Sequence, residues 1–571
     1  MKNQELVKIL NDIARYLYMD KVPFKPQAYE KVALSLQSME EDVAELYKKG
    51  GREALFQITG VGEGLADVIE EYLKKGKVRI YEEYKRKLPI NLDELTRIEG
   101  LGTRKARTLY QKLGIKTVKD LEKAVKAHKI APLFGFGEKT EKNILEGIDF
   151  LKRDKGRFLL SEILPTVKEI MAKLQNMKEV KKISIAGSLR RMKETIGDAD
   201  LLVVSDKPHK VMDFFVSLPG IEKVWGKGST KASIRMKQGF DIDLRIVPEK
   251  SYGAALQYFT GSKEHNVKTR IIAIGKGLKL NEYGLFRGSK MVASKTEEDI
   301  YKAIGVPCVP PEIREDQGEL DLKEVPDLVE LKDIKGDLHV HSDWDGGINS
   351  IADLAKEAMK KGYEYIGISD HTKFLRIEYG LNEKQLLEEK KEIEKINEKF
   401  RKQGINFRVL QGCETNILDD GSVDIKDEVL SQLDYVIAGV HSQMKMPKDQ
   451  MMARIIKAMQ NPNIDIISHP TGRVLKRREE YQIDFDKILQ VAKQTQTILE
   501  INASPDRLDL KDTNIRKAKE AGVKMIINTD THQKEQLDQM EYGIAQARRG
   551  WAEPKDIINT LPVEKLLEYL K

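Results

Sequence analysis

Histidine placement constrains this chain most. Six of its nine histidines fall between residues 339 and 532, and nearly all follow a short apolar run. They stand in "DLHVHS" (His339, His341), "ISDH" (His371), "GVHS" (His441), "ISHP" (His469) and "TDTH" (His532). The runs "YIGISD", "FRVLQG", "YVIAGVH", "IDIISHP", "TILEINAS" and "VKMIINTD" alternate with helical segments. This βα repeat predicts a parallel sheet wound or closed by helices. In a βα barrel the strand C-termini meet at one mouth, so side chains distant in sequence converge there. Glu414 ("QGCE") and Asp530 join the set. A lone histidine is more often structural, but six at equivalent strand ends predict a metal centre. Mixed imidazole and carboxylate donors without a thiolate cage suit Mn²⁺, Zn²⁺ or Fe²⁺ rather than structural zinc.

At 571 residues the chain exceeds what one hydrophobic core serves, so several domains are expected. A net charge of +7 permits nucleic-acid binding without arguing for it, and the local distribution must decide. Two cysteines, Cys308 and Cys413, exclude a disulfide framework and suit a reducing cytoplasm. No apolar run is long enough to span a bilayer, so no membrane partner is expected.

"LVKILNDIARYLYMD" places Leu6, Ile9, Leu10, Ile13 and Leu17 on one helical face, and helical patterns continue to about residue 180. Three glycine turns interrupt them: "ITGVGEGLADVIEEYL" (58–73), "RIEGLGTRKARTLYQKLG" (97–114) and "LFGFGEKTEKNILEGI" (133–148). Glycines such as Gly60, Gly62, Gly100 and Gly102 let backbone N–H groups at a helix start approach an anion. A helix–turn–helix needing glycine for its backbone would explain one copy. Three copies, with eleven Lys/Arg against four Asp/Glu in 101–142 (Arg104 and Lys105 among them), point to phosphates.

From 181 to about 250 the pattern turns to strands, with helix and loop to about 305. In "ISIAGSLRRMKETIGDADLLVVS" (183–205), Asp198 and Asp200 open a strand and share a face. In "GFDIDLRIVP", Asp241, Asp243 and Arg245 alternate with apolar neighbours. Carboxylates gathered on a sheet repel unless a divalent cation neutralises them, and hard oxygen donors suit Mg²⁺ shared with substrate phosphates. Two such ions would support phosphoryl transfer. Gly187 and Ser188 form a turn able to cradle phosphates, beside Arg190 and Arg191. Carboxylates on a solvated sheet are the alternative. "VPCVPPEIREDQGELDLKEVPDL" (306–328) is Pro-rich, acidic and aperiodic, and reads as a linker.

The motifs "GSLRR…GDADLLVV", "DIDLR" and "YFTGSKEHNVKTR" resemble the family X DNA polymerases, over residues 1 to 305 and in the same order. The glycine turns resemble helix-hairpin-helix motifs, which grip DNA backbone. The resemblance implies Mg²⁺ or Mn²⁺ on Asp198, Asp200 and Asp243. It implies triphosphate contacts at Gly187, Ser188, Arg191 and Gly197. Tyr258, Phe259 and Gly261 would wall the sugar, Asn266 would touch the incoming base, and Arg270 the template. Val68 departs from the animal polymerase, which has a Schiff-base lysine there. Valine forms no imine, although Lys74, Lys75 and Lys77 are near.

Residues 333–571 resemble the PHP (polymerase and histidinol phosphatase) domain, whose barrel holds up to three ions. The likeness gives metal roles to His339, His341, His371, Glu414, His441, His469, Asp530 and His532. Its pattern after H-x-H-S is x-x-S-D-G, whereas this chain reads Asp343-Trp344-Asp345-Gly346-Gly347. Either the loop adjusts so that Asp345 binds, or one metal position is weakened.

The expected chain is multidomain. A helical helix-hairpin-helix region (1–85 and 86–150) precedes an α+β nucleotidyltransferase palm (151–248) and a nucleotide-selection subdomain (249–318). A linker (319–332) leads to an α/β, distorted βα barrel (333–571). The expected function is a family X DNA polymerase filling short gaps in repair as a monomer, on gapped or primed DNA with deoxynucleoside triphosphates. The PHP domain would add Mn²⁺-dependent 3′→5′ exonuclease or 3′-end processing, abasic sites included. Alternatives are a catalytically degenerate PHP domain, a DNA-binding scaffold, and a phosphatase of small metabolites.

Overall fold

The structure, a computed structural model, describes residues 2–570 except 21, 40, 97, 99, 100, 154 and 155. Gly100 therefore lies outside the described residues. The chain forms two compact units: Met1–Lys155 with Lys476–Glu479, and Gly156–Leu475 with Glu480–Lys571.

The first unit is helical. Helix Lys2–Met19 buries Leu6, Leu10, Ile13 and Leu17, as its spacing predicts, against Val32, Leu36, Leu55 and Ile69. A second core gathers Leu95, Leu101, Leu109, Leu121 and Ile144. The first two hairpins lead into helices Glu63–Lys75 and Thr103–Leu113, and each helix stops at a left-handed glycine, Gly76 or Gly114. Glycine alone adopts that backbone without strain, so these helices end where the sequence places it.

The second unit begins with the palm. Its sheet runs Lys182–Ala186, Asp198–Val204, Asp241–Val247, Lys231–Met236, Ile221–Lys227. Only Asp198–Val204 and Asp241–Val247 pair in parallel. Helix Leu160–Gln175 covers one face with Ile163, Val167 and Ile170.

Helices Tyr252–Thr260, Lys263–Gly275 and Glu297–Ile304 follow, with a small antiparallel sheet of Lys279–Asn281, Gly284–Arg287 and Lys290–Ala293. The expectation of helix and loop to 305 missed that sheet. Its strands have three or four residues each, too few for alternation to show. The segment 306–328 is packed rather than loose: Val309, Ile313, Arg314, Glu319, Leu320 and Leu328 are buried. Short 3₁₀ turns replace the periodicity whose absence reads as a linker.

The C-terminal part is an all-parallel barrel. Gly336–Val340, Tyr365–Ile368 and Arg408–Gln411 form one sheet. Glu414–Asn416, Ile437–Gly439, Ile466–Ile467, Ile498–Asn502 and Met525–Asn528 form the other. Bridges His371 to Glu414 and Val340 to Thr531 join the two sheets into a ring. Leu338, Tyr365, Leu410, Ile437, Ile466 and Ile526 fill the interior, so chemistry is confined to the strand ends. Among the described residues no helix is long and apolar enough to cross a membrane.

Candidate active sites

On the palm, Asp198 pairs with Asp241 and Asp200 with Asp243 across the parallel ladder. Alternation sends the carboxylates to one face while Ala199, Leu201, Ile242 and Leu244 enter the core. Burial, then the charges of Asp198 and Asp243, push Asp200 up to about 7. Crowded anions of this kind are what a divalent cation relieves. Asp243 accepts from Lys231 Nζ at 2.7 Å and from the Ser233 hydroxyl. Asp241 is taken by Arg235, whose Nε and Nη2 donate at 2.8 Å each, and by Trp225 Nε1 at 2.9 Å.

The Gly187–Ser188 turn runs against this face. Gly187 has φ 63°, and a Cβ there would lie 2.3 Å from Asp200 Oδ2. Gly197 directly precedes Asp198 in the chain. Arg191 donates from Nη1 to the Thr260 carbonyl and from Nε to Glu315 Oε1 at 3.1 Å, which holds it beside the Gly261 turn. Arg190 is instead committed to Glu297 Oε2 at 2.6 Å and Thr260 Oγ1 at 2.6 Å.

Tyr258 and Phe259 end helix Tyr252–Thr260, which closes at Gly261 (φ 72°). The Arg245 guanidinium sits 4.5 Å from the Phe259 ring centre. Asn266 and Arg270 share helix Lys263–Gly275. Asn266 Nδ2 donates to the Tyr258 carbonyl at 2.7 Å and its Oδ1 accepts from Gln257 at 2.7 Å. It braces the wall here. Arg270 Nε donates to the Asn266 carbonyl at 3.1 Å.

At the barrel mouth the sequence-predicted set converges. Candidate ligand atoms lie within 4.8 Å of one another in His341–His371–His532, His339–His341–Asp530, His371–Glu414–His441 and His341–Asp345–Asp370. His469 Nε2 reaches Glu414 Oε1 at 3.0 Å. Two residues of this set occupy left-handed backbone, His469 at φ 29° and Asp530 at φ 56°, the strain that functional sites tend to hold. Burial alone would raise Glu414, but the His441 and His339 imidazoles hold it well below the usual carboxylate range. Burial and then Arg507 bring His469 down to about 4, and burial and then His341 do the same to His532. Against burial, which would lower them, the neighbouring carboxylates raise His339, His341 and His371, so a metal taken up by those imidazoles would displace their protons.

The residues fit such ions. His339 Nε2 and His341 Nε2 are buried without a hydrogen-bond partner. His339 Nε2 stands 3.5 Å from both Glu414 Oε2 and Asp530 Oδ1. Buried polar atoms left unpaired yet aimed at carboxylates mark a place for a cation.

Asp345 does reach the cluster. Its Oδ2 accepts from His341 Nδ1, His371 Nδ1 and the His371 N–H, each at 2.8 Å, turning both Nε2 atoms inward. Sequence reasoning missed two partners that do the same. Glu500 Oε1 holds His339 Nδ1 at 2.7 Å, and Asn416 Oδ1 holds His441 Nδ1 at 2.7 Å. Such outer partners fix tautomer and ring orientation. Glu500 left a signal, a carboxylate flanked by Ile498, Leu499 and Ile501 in the run "TILEINAS".

In the helical unit, Gly60 has φ 85°. Gly62 and Gly102 stand at helix N-caps, where a Cβ would meet nothing within 4 Å. Arg104 is exposed, and Lys105 Nζ lies 5.8 Å from the Phe136 ring centre. Val68 packs half-buried against the core, and Lys74 and Lys75 pair with Glu70 and Glu71.

Comparison with known proteins agrees with this layout. Residues 1–78 match the helix-hairpin-helix domain family, 92–149 the SAM-like helix-hairpin-helix tandem, 255–315 the DNA polymerase beta thumb and 337–504 the PHP domain. A DNA polymerase/3′-5′ exonuclease PolX of Bacillus subtilis is 37% identical over 577 residues, covering 100% of both chains. The chain belongs to the PolX family. A probable phosphatase of Thermoanaerobacter is 31% identical over 250 residues, 41% of this chain and 94% of its own. One of Caldanaerobacter subterraneus is 28% identical over 250 residues, 41% of this chain and 90% of its own. The family likeness thus spans the whole chain, whereas the phosphatases share only part of it.

Proposed function

We propose that this chain is a DNA-directed DNA polymerase of the PolX type that also degrades DNA from 3′ ends. The observation that carries the reading is the Asp200–Asp243 pair against the Gly187 turn, within one folded unit that also holds the imidazole-lined barrel mouth. The full-length likeness to a polymerase/exonuclease supports it.

Asp198, Asp200 and Asp243 would hold Mg²⁺ or Mn²⁺, with Gly187, Ser188, Gly197 and Arg191 on the triphosphate. Such ions would supply charge stabilisation for nucleotidyl transfer. Tyr258, Phe259 and Gly261 would shape the sugar site, and Asn266 and Arg270 would face base and template. Asn266 must first leave Tyr258.

At the barrel His339, His341, His371, Glu414, His441, His469, Asp530 and His532 would hold up to three Mn²⁺, Zn²⁺ or Fe²⁺ ions. Asp345, Glu500 and Asn416 would orient the imidazoles. Convergence of these donors favours an active PHP domain over a degenerate one. The substrates are gapped or primed DNA and deoxynucleoside triphosphates, with repair as the setting; blocked or abasic ends belong to the same chemistry.

A labelled primer on gapped DNA with Mn²⁺, with and without nucleotides, tests this. Asp200→Ala abolishes extension alone, and His339→Ala/His341→Ala abolishes trimming alone. Joint loss of both activities in either variant contradicts two separate sites.

A further inference from the structure

The palm and barrel meet at a partly buried ion cluster, most of which the proposed chemistry does not use. Its hub is Arg549, at the end of helix Met540–Arg549 in the barrel domain, with a side chain only 2% exposed. Its Nη2 donates to Asp512 Oδ2 at 2.5 Å, within the barrel domain. Its Nη1 crosses to the polymerase part, donating to the Arg191 carbonyl at 2.9 Å, Glu315 Oε1 at 3.1 Å and the Glu312 carbonyl at 3.3 Å.

Glu315 Oε1 in turn accepts from Arg191 Nε at 3.1 Å, and Lys193 Nζ lies 3.7 Å from it. Arg191 is thus held at both ends, its carbonyl by Arg549 and its guanidinium by Glu315 and Thr260.

Three cations (Arg191, Lys193, Arg549) face two carboxylates (Glu315, Asp512), so the cluster keeps a positive excess beside the Gly187 turn. Without Arg549 the charges balance, and Glu315 is left to neutralise Arg191 with less competition. The Arg191 carbonyl also loses its donor. Both changes weaken the pull on a polyphosphate without touching the carboxylates of the palm.

We propose that Arg549 of the exonuclease domain is a positioning residue for the polymerase site, setting Arg191 for the incoming nucleoside triphosphate. The inference rests on Arg191 being a triphosphate contact. Arg549 lies in no part of the proposed nuclease centre, so its loss should reach one activity only.

The test is steady-state extension on one-nucleotide-gapped DNA, with exonuclease rate on the same full-length protein as the fold control. Arg549→Met is expected to raise KM for the nucleotide about tenfold, the scale of one charge-assisted hydrogen bond. Its kcat and exonuclease rate should stay within about twofold of wild type. Arg549→Lys, which restores charge without the fork, should recover part of the affinity. It is the variant to read if the methionine variant loses exonuclease through misfolding.

Arg191→Ala should raise KM by more, and Arg191→Ala/Arg549→Met should match Arg191→Ala alone, since Arg549 acts through Arg191. An unchanged KM in both Arg549 variants, with Arg191→Ala impaired, overturns the inference. So does equal loss of extension and exonuclease in Arg549→Lys. An unchanged KM in Arg191→Ala instead removes the triphosphate reading beneath it.

Discussion

Gly187 and Asp200 are set so close that no side chain fits between them. A Cβ at 187 would fall 2.3 Å from Asp200 Oδ2, on a backbone of φ 63° that L-residues avoid. Gly187→Ala should therefore cut extension about 100-fold or more by displacing that carboxylate. Exonuclease on the same protein should be retained. Extension within a few-fold of wild type would show that the turn does not approach the metal face.

Asp200 also sets a pH dependence. Its pKa stands near 7 against 3.8 for the free group. Ionising it costs more in the fold than in the unfolded chain, so the metal-free fold loses stability as pH rises from about 4 toward 7. A cation that holds the anion reverses this above 7 and must displace a proton below it. The Mg²⁺ concentration for half-maximal extension should rise about tenfold per pH unit below 7. A requirement flat from pH 6 to 8 would contradict the shift.

The acidic residues and histidines were legible because their chemistry is rare in an apolar strand. Asn416 and Arg549 were not. What they do depends on partners such as His441 and Arg191, remote in the chain and brought near only by packing.

At the scale of elements, the hairpins separate two reasons for glycine. Gly60 needs its positive φ, and a Cβ there would crowd Lys31 and Val32. Gly62 and Gly102 have ordinary φ of −103° and −70° and open space around them, so the fold alone does not require glycine. Close approach of a phosphate to the helix N-terminus would. Gly62→Ala/Gly102→Ala should change thermal stability by about 1 kcal/mol per site or less. Affinity for gapped DNA, measured by anisotropy, should fall about tenfold with a shallower salt slope. Unchanged affinity would show that no phosphate approaches these two glycines.

Elements with a strong period were readable, the first helix and the barrel strands above all. The small sheet at 279–293 and the packed stretch 306–328 were not. The strands of the first and the 3₁₀ turns of the second have only three or four residues each, too few to show a period, and the second is held by polar pairs. Glu319 accepts from the Asp316 N–H at 2.9 Å and the Gln317 N–H at 2.7 Å, and binds His265 Nδ1 at 2.6 Å.

At the scale of the molecule, palm and barrel read as separate domains in sequence yet share a core. Leu508 and Tyr542, from the barrel domain, pack among the buried palm residues around Ile163 and Phe240. Arg473 pairs with Glu194 at 2.8 Å and Lys168 with Glu541 at 2.8 Å across the same junction. Leucine and tyrosine in loops and helices carry no mark of which core they enter, so the sequence could not announce the junction. Joined this way, palm and barrel should unfold together, while Met1–Lys155, which has its own cores, unfolds separately.

Leu508→Ala leaves a cavity in the shared core, at a cost of about 2–5 kcal/mol. Calorimetry should show the transition of the large unit lowered by about 3 °C or more. The transition of the helical unit should stay where it was. The distinguishing measurement is hydrogen exchange in the palm strands and in Ile498–Asn502 as denaturant rises. Both should lose protection together in wild type and at the same lower denaturant concentration in the variant. Palm strands that open while Ile498–Asn502 stays protected would mean that the junction is too weak to couple them, and that the barrel folds without the palm.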